Sequence, residues 1–306
     1  VIPGGHNYFY DAVGQRFWRA LRNIGCEADI CTLQTYQPKE YDLTIYSTLA
    51  EVVGNYYASF RTDPMKLISA INQRTTQVAV VSLECVETQW FDNVWRVAAQ
   101  AGVSAIYDVG FLDQSYKLAS SNIQVDYRFI FNSLTQNERE KVQHSLHVQA
   151  ERPIPWAYIG HRLNSQRLQL AQALLSRLGS DGVFYLPGLR GPLGPDSPHF
   201  NAKQLRRLLE KTRYYIWISH HNYFYIESER FRDAALAGCV PIKLQSPSAL
   251  AETINFPFNY LMISEVDFDD HLRTLDYERL RQRFLKDYLA KPSLEVELAQ
   301  KVLQVR

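Results

Sequence analysis

The segment Ser228–Pro241, SERFRDAALAGCVP, concentrates groups that could meet a phosphate and a ribose. Ser228 suits a helix N-cap and Gly238 a C-terminal stop, which predicts a helix of about ten residues between them. Phe231, Ala234, Ala235 and Gly238 recur at three- and four-residue steps, so small residues on that face would let the helix lie close to a sheet. Glu229, Arg230 and Asp233 are related by i+3 and i+4 spacing and are predicted to share the other face. A helix N-terminus favours an anion through its N–H groups and dipole. A guanidinium in the first turn adds a forked phosphate donor. A carboxylate one turn on can accept two hydrogen bonds from a ribose diol. Without further context, the same charges also describe a surface helix that neutralises itself.

The surrounding elements must place this helix beside a sheet. In the first half, apolar β-branched runs at Glu27–Leu33, Asp42–Ser47, Gln77–Leu83, Val103–Tyr107 and Tyr127–Phe131 alternate with amphipathic stretches. Val13, Phe17, Leu21 and Ile24 mark a helix that Gly25 closes. The pattern restarts near Pro153 with a strand at Ile154–Ile159, a turn at Gly160-His161, and a helix through Leu170, Leu174, Leu175 and Leu178. Further strands are predicted at Val183–Leu186, Tyr214–Ser219, Val240–Leu244 and Tyr260–Ser264, with a helix from Leu205 and a charged helical tail from Tyr277. The Gly/Pro-rich stretch Pro187–Pro198 reads as a mobile surface loop. Alternation of this kind implies α/β architecture: two Rossmann-like, doubly wound parallel-sheet lobes facing a cleft, residues 1–150 and 151–306. The last helices, from about residue 277, are placed to pack back on the first lobe.

Composition narrows the class. A chain of 306 residues has room for two such lobes. With 33 basic and 32 acidic residues, the net charge of +1 argues against a general nucleic-acid binder. No 18-residue apolar run is present, so no membrane span is expected, which leaves peripheral membrane association open. Cys26, Cys31, Cys85 and Cys239 show no metal-ligand spacing and read as buried free thiols, which fits a reducing compartment and a cytoplasmic location. The chain is rich in Tyr, at 19, and Phe, at 15; these side chains suit sugar rings and bases, or a Tyr-rich core.

The Ser-x-Arg-x-x-Asp-Ala pattern of Ser228–Ala234, followed by Ala237-Gly238-Cys239-Val240-Pro241-Ile242, resembles the donor-binding motif of exostosin-type glycosyltransferases. It also resembles that of spore-maturation-type and other enzymes of the two-lobed GT-B class. Pro257-Phe258 and Ile263-Ser264-Glu265-x-Asp267 are similar to the text that follows the motif in exostosins. The resemblance implies transfer of a sugar from a nucleotide-sugar donor to a hydroxyl of a glycan or other glycoconjugate, without a metal or other cofactor. It places Ser228, Arg230 and Asp233 on the donor, with Asp233 in the ribose position, and Glu229 is assigned to the same nucleotide-sugar site by the face it is predicted to share. Tyr225 stands where Glu-x7-Glu members have their sugar-contacting carboxylate, and Glu227, two residues on, is the candidate to replace it. Gly160, His161 and Arg167 resemble the turn that opens the donor lobe.

Val1–Ile30 is similar to the opening of such enzymes. Gly4-Gly5 would bring backbone N–H groups to a phosphate or sugar, or form a plain tight turn. His6 is the first candidate for general base, Glu84 the second, and Asp108 is comparable to Glu84. Asp267-Phe268-Asp269-Asp270 reads as an acidic helix start rather than a metal motif, so no metal is predicted. Two other readings remain: a catalytically degenerate subunit, and a two-lobed binding protein without chemistry. The absence of G-x-G-x-x-G after any strand argues against a nicotinamide oxidoreductase.

Overall fold

In the computed structural model of the chain, the residues described are 1–5, 8–86, 88–119, 123–148, 150–160, 165–186, 200–219, 226–250 and 253–304, with backbone alone for Tyr8, Ala119, Ser165, Gln166, Arg167 and Ser248. The elements run α1 (Tyr8–Asn23), β1 (Tyr41–Tyr46), α2 (Leu49–Phe60), α3 (Met65–Asn72), β2 (Thr75–Ser82), α4 (Gln89–Gln100), β3 (Ala105–Gly110), α5 (Ser115–Ala119), β4 (Asp126–Phe131) and α6 (Gln136–His147). They continue with β5 (Ile154–Ile159), α7 (Ser165–Leu178), β6 (Val183–Tyr185), α8 (Ala202–Leu209), β7 (Thr212–Ile218), α9 (Ser228–Ala237), β8 (Val240–Gln245), α10 (Pro247–Leu250), β9 (Met262–Ser264), α11 (Phe268–Thr274), α12 (Tyr277–Leu289) and α13 (Leu294–Lys301).

The chain divides into two units: residues 1–135 with the stretch from Leu294 onward, and the described residues from Gln136 to Ser293. Each is an α/β unit on a parallel sheet, of four strands in the order β1-β2-β3-β4 and of five in the order β6-β5-β7-β8-β9.

Period-2 alternation on β2 explains how the first sheet is covered on both faces. Val78 and Val80 join Leu49, Val52, Ile68, Phe91 and Ile106 in one core cluster. Ala79 and Val81 join Val13, Phe17, Ile130, Leu294 and Leu298 in another. The second cluster therefore contains α13, so a C-terminal helix does return to the first sheet. Helix α12 belongs instead to the second unit, where Phe284 and Tyr288 pack on Phe258. The abundant tyrosines are partly core residues, with Tyr46, Tyr107, Tyr158, Tyr215 and Tyr288 fully buried.

Two local expectations change. The run Glu27–Leu33 forms no strand: the ladder bond present at it is Ile2 N–H to the Cys31 carbonyl, 2.9 Å, and extended backbone without a paired edge is not a sheet strand. None of the four cysteines is in a disulfide, but Cys239 alone is buried while Cys26, Cys31 and Cys85 are half-buried. Gly25 closes α1 as expected, with φ 87° and a 3.1 Å bond from Cys26 N–H back to Leu21 O. The predicted loop 187–198 lies outside the described residues.

Candidate functional site

The strand order of the second unit creates a switch point. From β5 the chain moves outward to β6, then crosses back to β7 and continues outward through β8 and β9. Crossovers in opposite directions put the helices after β5 and β7 on opposite faces, which opens a crevice at the carboxyl ends of those two strands. Helix α9 starts there, after β7, and Gly160 ends β5.

Arg230 reaches across that crevice. Its Nη1 donates to the Ile159 carbonyl at the end of β5, 2.9 Å away, and to the Tyr215 hydroxyl on β7. The guanidinium also rests on the rings of Tyr215 and Trp217, at 5.6 and 5.7 Å. Burial opposes its charge, but Tyr215, Glu227 and Tyr158 together raise its pKa, so it stays a cation. Gly160 is buried, and its N–H donates to the Tyr185 carbonyl at 3.1 Å, which ties the ends of β5 and β6 together.

Helix α9 is held from below and behind. Phe231, fully buried, meets Trp217, Phe256, Phe258 and Phe284. Phe258, which the sequence singled out as part of the downstream motif, is thus the floor of the helix. Gly238 ends α9 at φ 68°, and a Cβ there would lie 2.9 Å from Arg152 Nη2. That arginine is itself buried and donates to the carbonyls of Leu209, Thr212 and Ala237, closing the ends of α8 and α9.

The N-terminal end of α9 differs from the expectation. Ser228 is the first helical residue, and the N-cap position is Glu227, in the left-handed region at φ 45°, ψ 58°. Glu227 Oε2 accepts from Lys243 Nζ at 2.5 Å and from Trp217 Nε1 at 2.8 Å. Lys243 is fully buried, and its Nζ also donates to Ser219 Oγ at 2.6 Å. Glu229 does not accompany Arg230. It is buried and accepts from Arg232 Nη1 at 3.0 Å, while Arg232 Nη2 donates to Glu138 on α6. The i+3 and i+4 rule placed Glu229 by its spacing alone; a buried arginine on the core side turned it away. Asp233 keeps 33% of its side-chain surface exposed, with Arg232 at 3.6 Å.

In the first unit, the Gly4 and Gly5 amides do not present themselves to a ligand. They donate to Asp11 Oδ1 and Oδ2 at 2.8 and 2.6 Å, so a carboxylate of α1 already fills that turn. Glu84, past the end of β2, accepts from the Tyr10 hydroxyl at 3.0 Å. On β3, buried Asp108 accepts from Tyr127 OH at 2.5 Å and from Gln114 Nε2 at 3.1 Å. Gln114 Oε1 in turn accepts from Val86 N–H at 3.0 Å. Burial, aided by Asp113, pushes the Asp108 carboxyl up to about 7 against the pull of Tyr127 and Gln114.

His6, His161 and Tyr225 lie outside the described residues, and Arg167 is described by its backbone alone, within α7. Among the described residues, no group of three His, Cys, Asp or Glu side chains could hold a metal. Asp269 and Asp270 lie in the first turn of α11, paired with Arg177 and Arg273. No described helix is long and apolar enough to cross a membrane. Sequence reasoning missed Lys243, Arg232 and the two partners of Asp108, Tyr127 and Gln114. For Lys243 there was a signal, since a charged residue inside the run Val-Pro-Ile-Lys-Leu of a central strand must have a buried partner.

No protein-family model matches the chain, and comparison with curated protein sequences finds no match. Among solved structures, the chain is similar to an alpha-glucosyltransferase in complex with UDP and a 13-mer DNA containing an HMU base. There the identity is 12%, the TM-score 0.47, and 81% of this chain and 75% of that one are covered. It is similar to TarM at 12% identity and TM-score 0.45, over 78% of this chain and 52% of that one. An alpha1,3-fucosyltransferase is similar at 11% identity and TM-score 0.37, over 95% of each chain.

Proposed function

We propose that this chain is a glycosyltransferase whose second unit holds the diphosphate and ribose of a nucleotide-sugar donor at the start of α9. One observation carries the reading: Arg230 stands at the switch point, with one nitrogen spent on Ile159 and Tyr215 and its guanidinium braced on two aromatic rings. A cation so fixed loses little freedom when a phosphate arrives, and its fork geometry suits two oxygens. Asp233, one turn further and partly exposed, is the ribose partner. The Ser-x-Arg-x-x-Asp-Ala pattern supports the same assignment. Transfer would rest on electrostatic stabilisation of the leaving diphosphate by Arg230, with the acceptor hydroxyl supplied from glycan or other glycoconjugate.

A panel of nucleoside diphosphates read by thermal shift and calorimetry tests this. The wild type should be stabilised by at least one of them. Arg230→Ala should weaken that ligand by about 10- to 100-fold, the worth of a charge-assisted hydrogen bond. Arg230→Lys should recover only part of the loss, because the fork is gone. No stabilisation by any nucleotide would sink the enzyme reading. Binding without donor hydrolysis or transfer would favour a degenerate subunit.

A further inference from the structure

We infer that Lys243 is a positioning residue for this donor site, acting through Glu227, an inference that rests on the proposed nucleotide site. Glu227 is a non-glycine residue at φ 45°, ψ 58°, a conformation L side chains adopt only when their surroundings dictate it. What dictates it lies inside the unit. Lys243 sits opposite Trp217 in the β7–β8 register, fully buried, and its ammonium meets the Glu227 carboxylate at 2.5 Å and Ser219 Oγ at 2.6 Å. Trp217 Nε1 donates to the same carboxylate oxygen at 2.8 Å.

That cluster controls two features of the site. First, the Glu227 carbonyl accepts from Arg230 N–H at 2.9 Å, so the left-handed residue sets the direction in which the first turn of α9 begins. Second, the bond from Trp217 to Glu227 fixes the plane of the indole ring. Arg230 and Lys243 both approach that ring, at 5.7 and 5.9 Å. Lys243 therefore touches no ligand. It holds the carboxylate that holds both the helix entry and the ring under Arg230. A buried ion pair is a poor device for stability alone, since hydrophobic replacements of similar volume often do as well. Its value here is the conformation it imposes.

Two double variants separate position from stability. Lys243→Met with Glu227→Leu removes both charges, so the unit escapes an uncompensated buried carboxylate, but leaves a branched side chain at a left-handed residue. Lys243→Met with Glu227→Gly removes the same charges and adopts φ near 45° without strain. Calorimetry with the nucleoside diphosphate that the wild type prefers should show the leucine variant weakened by about tenfold, the order of one left-handed penalty. The glycine variant should bind at least about fivefold more tightly than the leucine variant. Circular dichroism and melting temperature verify that both fold. Equal affinity of the two double variants, whether high or low, overturns the inference while leaving the donor site standing. A wild type that binds no nucleotide overturns both.

Discussion

Arg232→Met should destabilise the second unit by about 3–5 kcal/mol, the largest single-residue effect expected in this unit. The side chain is 10% exposed and lies between Glu229, 6% exposed, and Glu138, 13% exposed, with Asp233 at 3.6 Å. Burial by itself lowers the guanidinium pKa; the opposing attraction of Glu229, Glu138 and Asp233 prevails and raises it above the ordinary arginine value. Removing the cation strands two buried carboxylates, and that penalty exceeds anything the methionine packs. Urea unfolding followed by far-UV circular dichroism measures it. Replacing Glu138 and Glu229 by Leu in the same chain should return most of the loss. A cost below about 1 kcal/mol for Arg232→Met would mean that the network is solvated rather than buried.

Asp108 supplies the second large effect, and its sign is opposite to the usual carboxylate. The fold raises its pKa from 3.8 to about 7, so the folded unit keeps a proton that the unfolded chain gives up near pH 4. Between pH 4 and 7 the folded state binds more protons than the unfolded one, and stability falls as pH rises. The loss is about 1.4 kcal/mol per pH unit, or about 4 kcal/mol in all, complete above pH 7 and absent below pH 4. Asp108→Asn is neutral throughout and still offers Tyr127 and Gln114 an oxygen. The variant should therefore gain stability on the wild type progressively from pH 4 to 8. Parallel urea curves across that range would show the gain, and a constant difference would exclude a raised pKa.

The two networks mark where sequence patterns stop. Strands were legible wherever an apolar run had a neighbour to pair with, as Ile154–Ile159 and Val240–Gln245 do. Glu27–Leu33, with Ile30, Cys31 and Leu33, reads as a short apolar run but forms no strand. Helix α9 was legible from its glycine stop, its small-residue face and its first-turn arginine. The place of Arg230 in the first turn was legible with it, and its partners there are a backbone carbonyl and a sheet tyrosine. Glu229 is held by Arg232 three residues on, which a carboxylate on α6 keeps on the core side, and Glu227 is held by a lysine of the next strand. Arg232 meets Glu138 across 94 residues, and Lys243 meets Glu227 across 16, and local spacing carries neither distance.

The return of α13 to the first sheet has a consequence for synthesis. Leu294, Leu298 and Val302 share a core cluster with Val13, Phe17 and Ile130. A ribosome making this chain from its N-terminus would release all of the first unit's strands long before α13, which shares with α1 the covering of one face of them. The second unit, by contrast, is complete by Ser293. Domains usually finish in the order they emerge; here the later unit can close first, while the part of the earlier unit's core that α13 completes stays open. Each buried leucine of α13 is worth about 2–3 kcal/mol to that face. Nascent first units are therefore the stage at which a chaperone has something to hold.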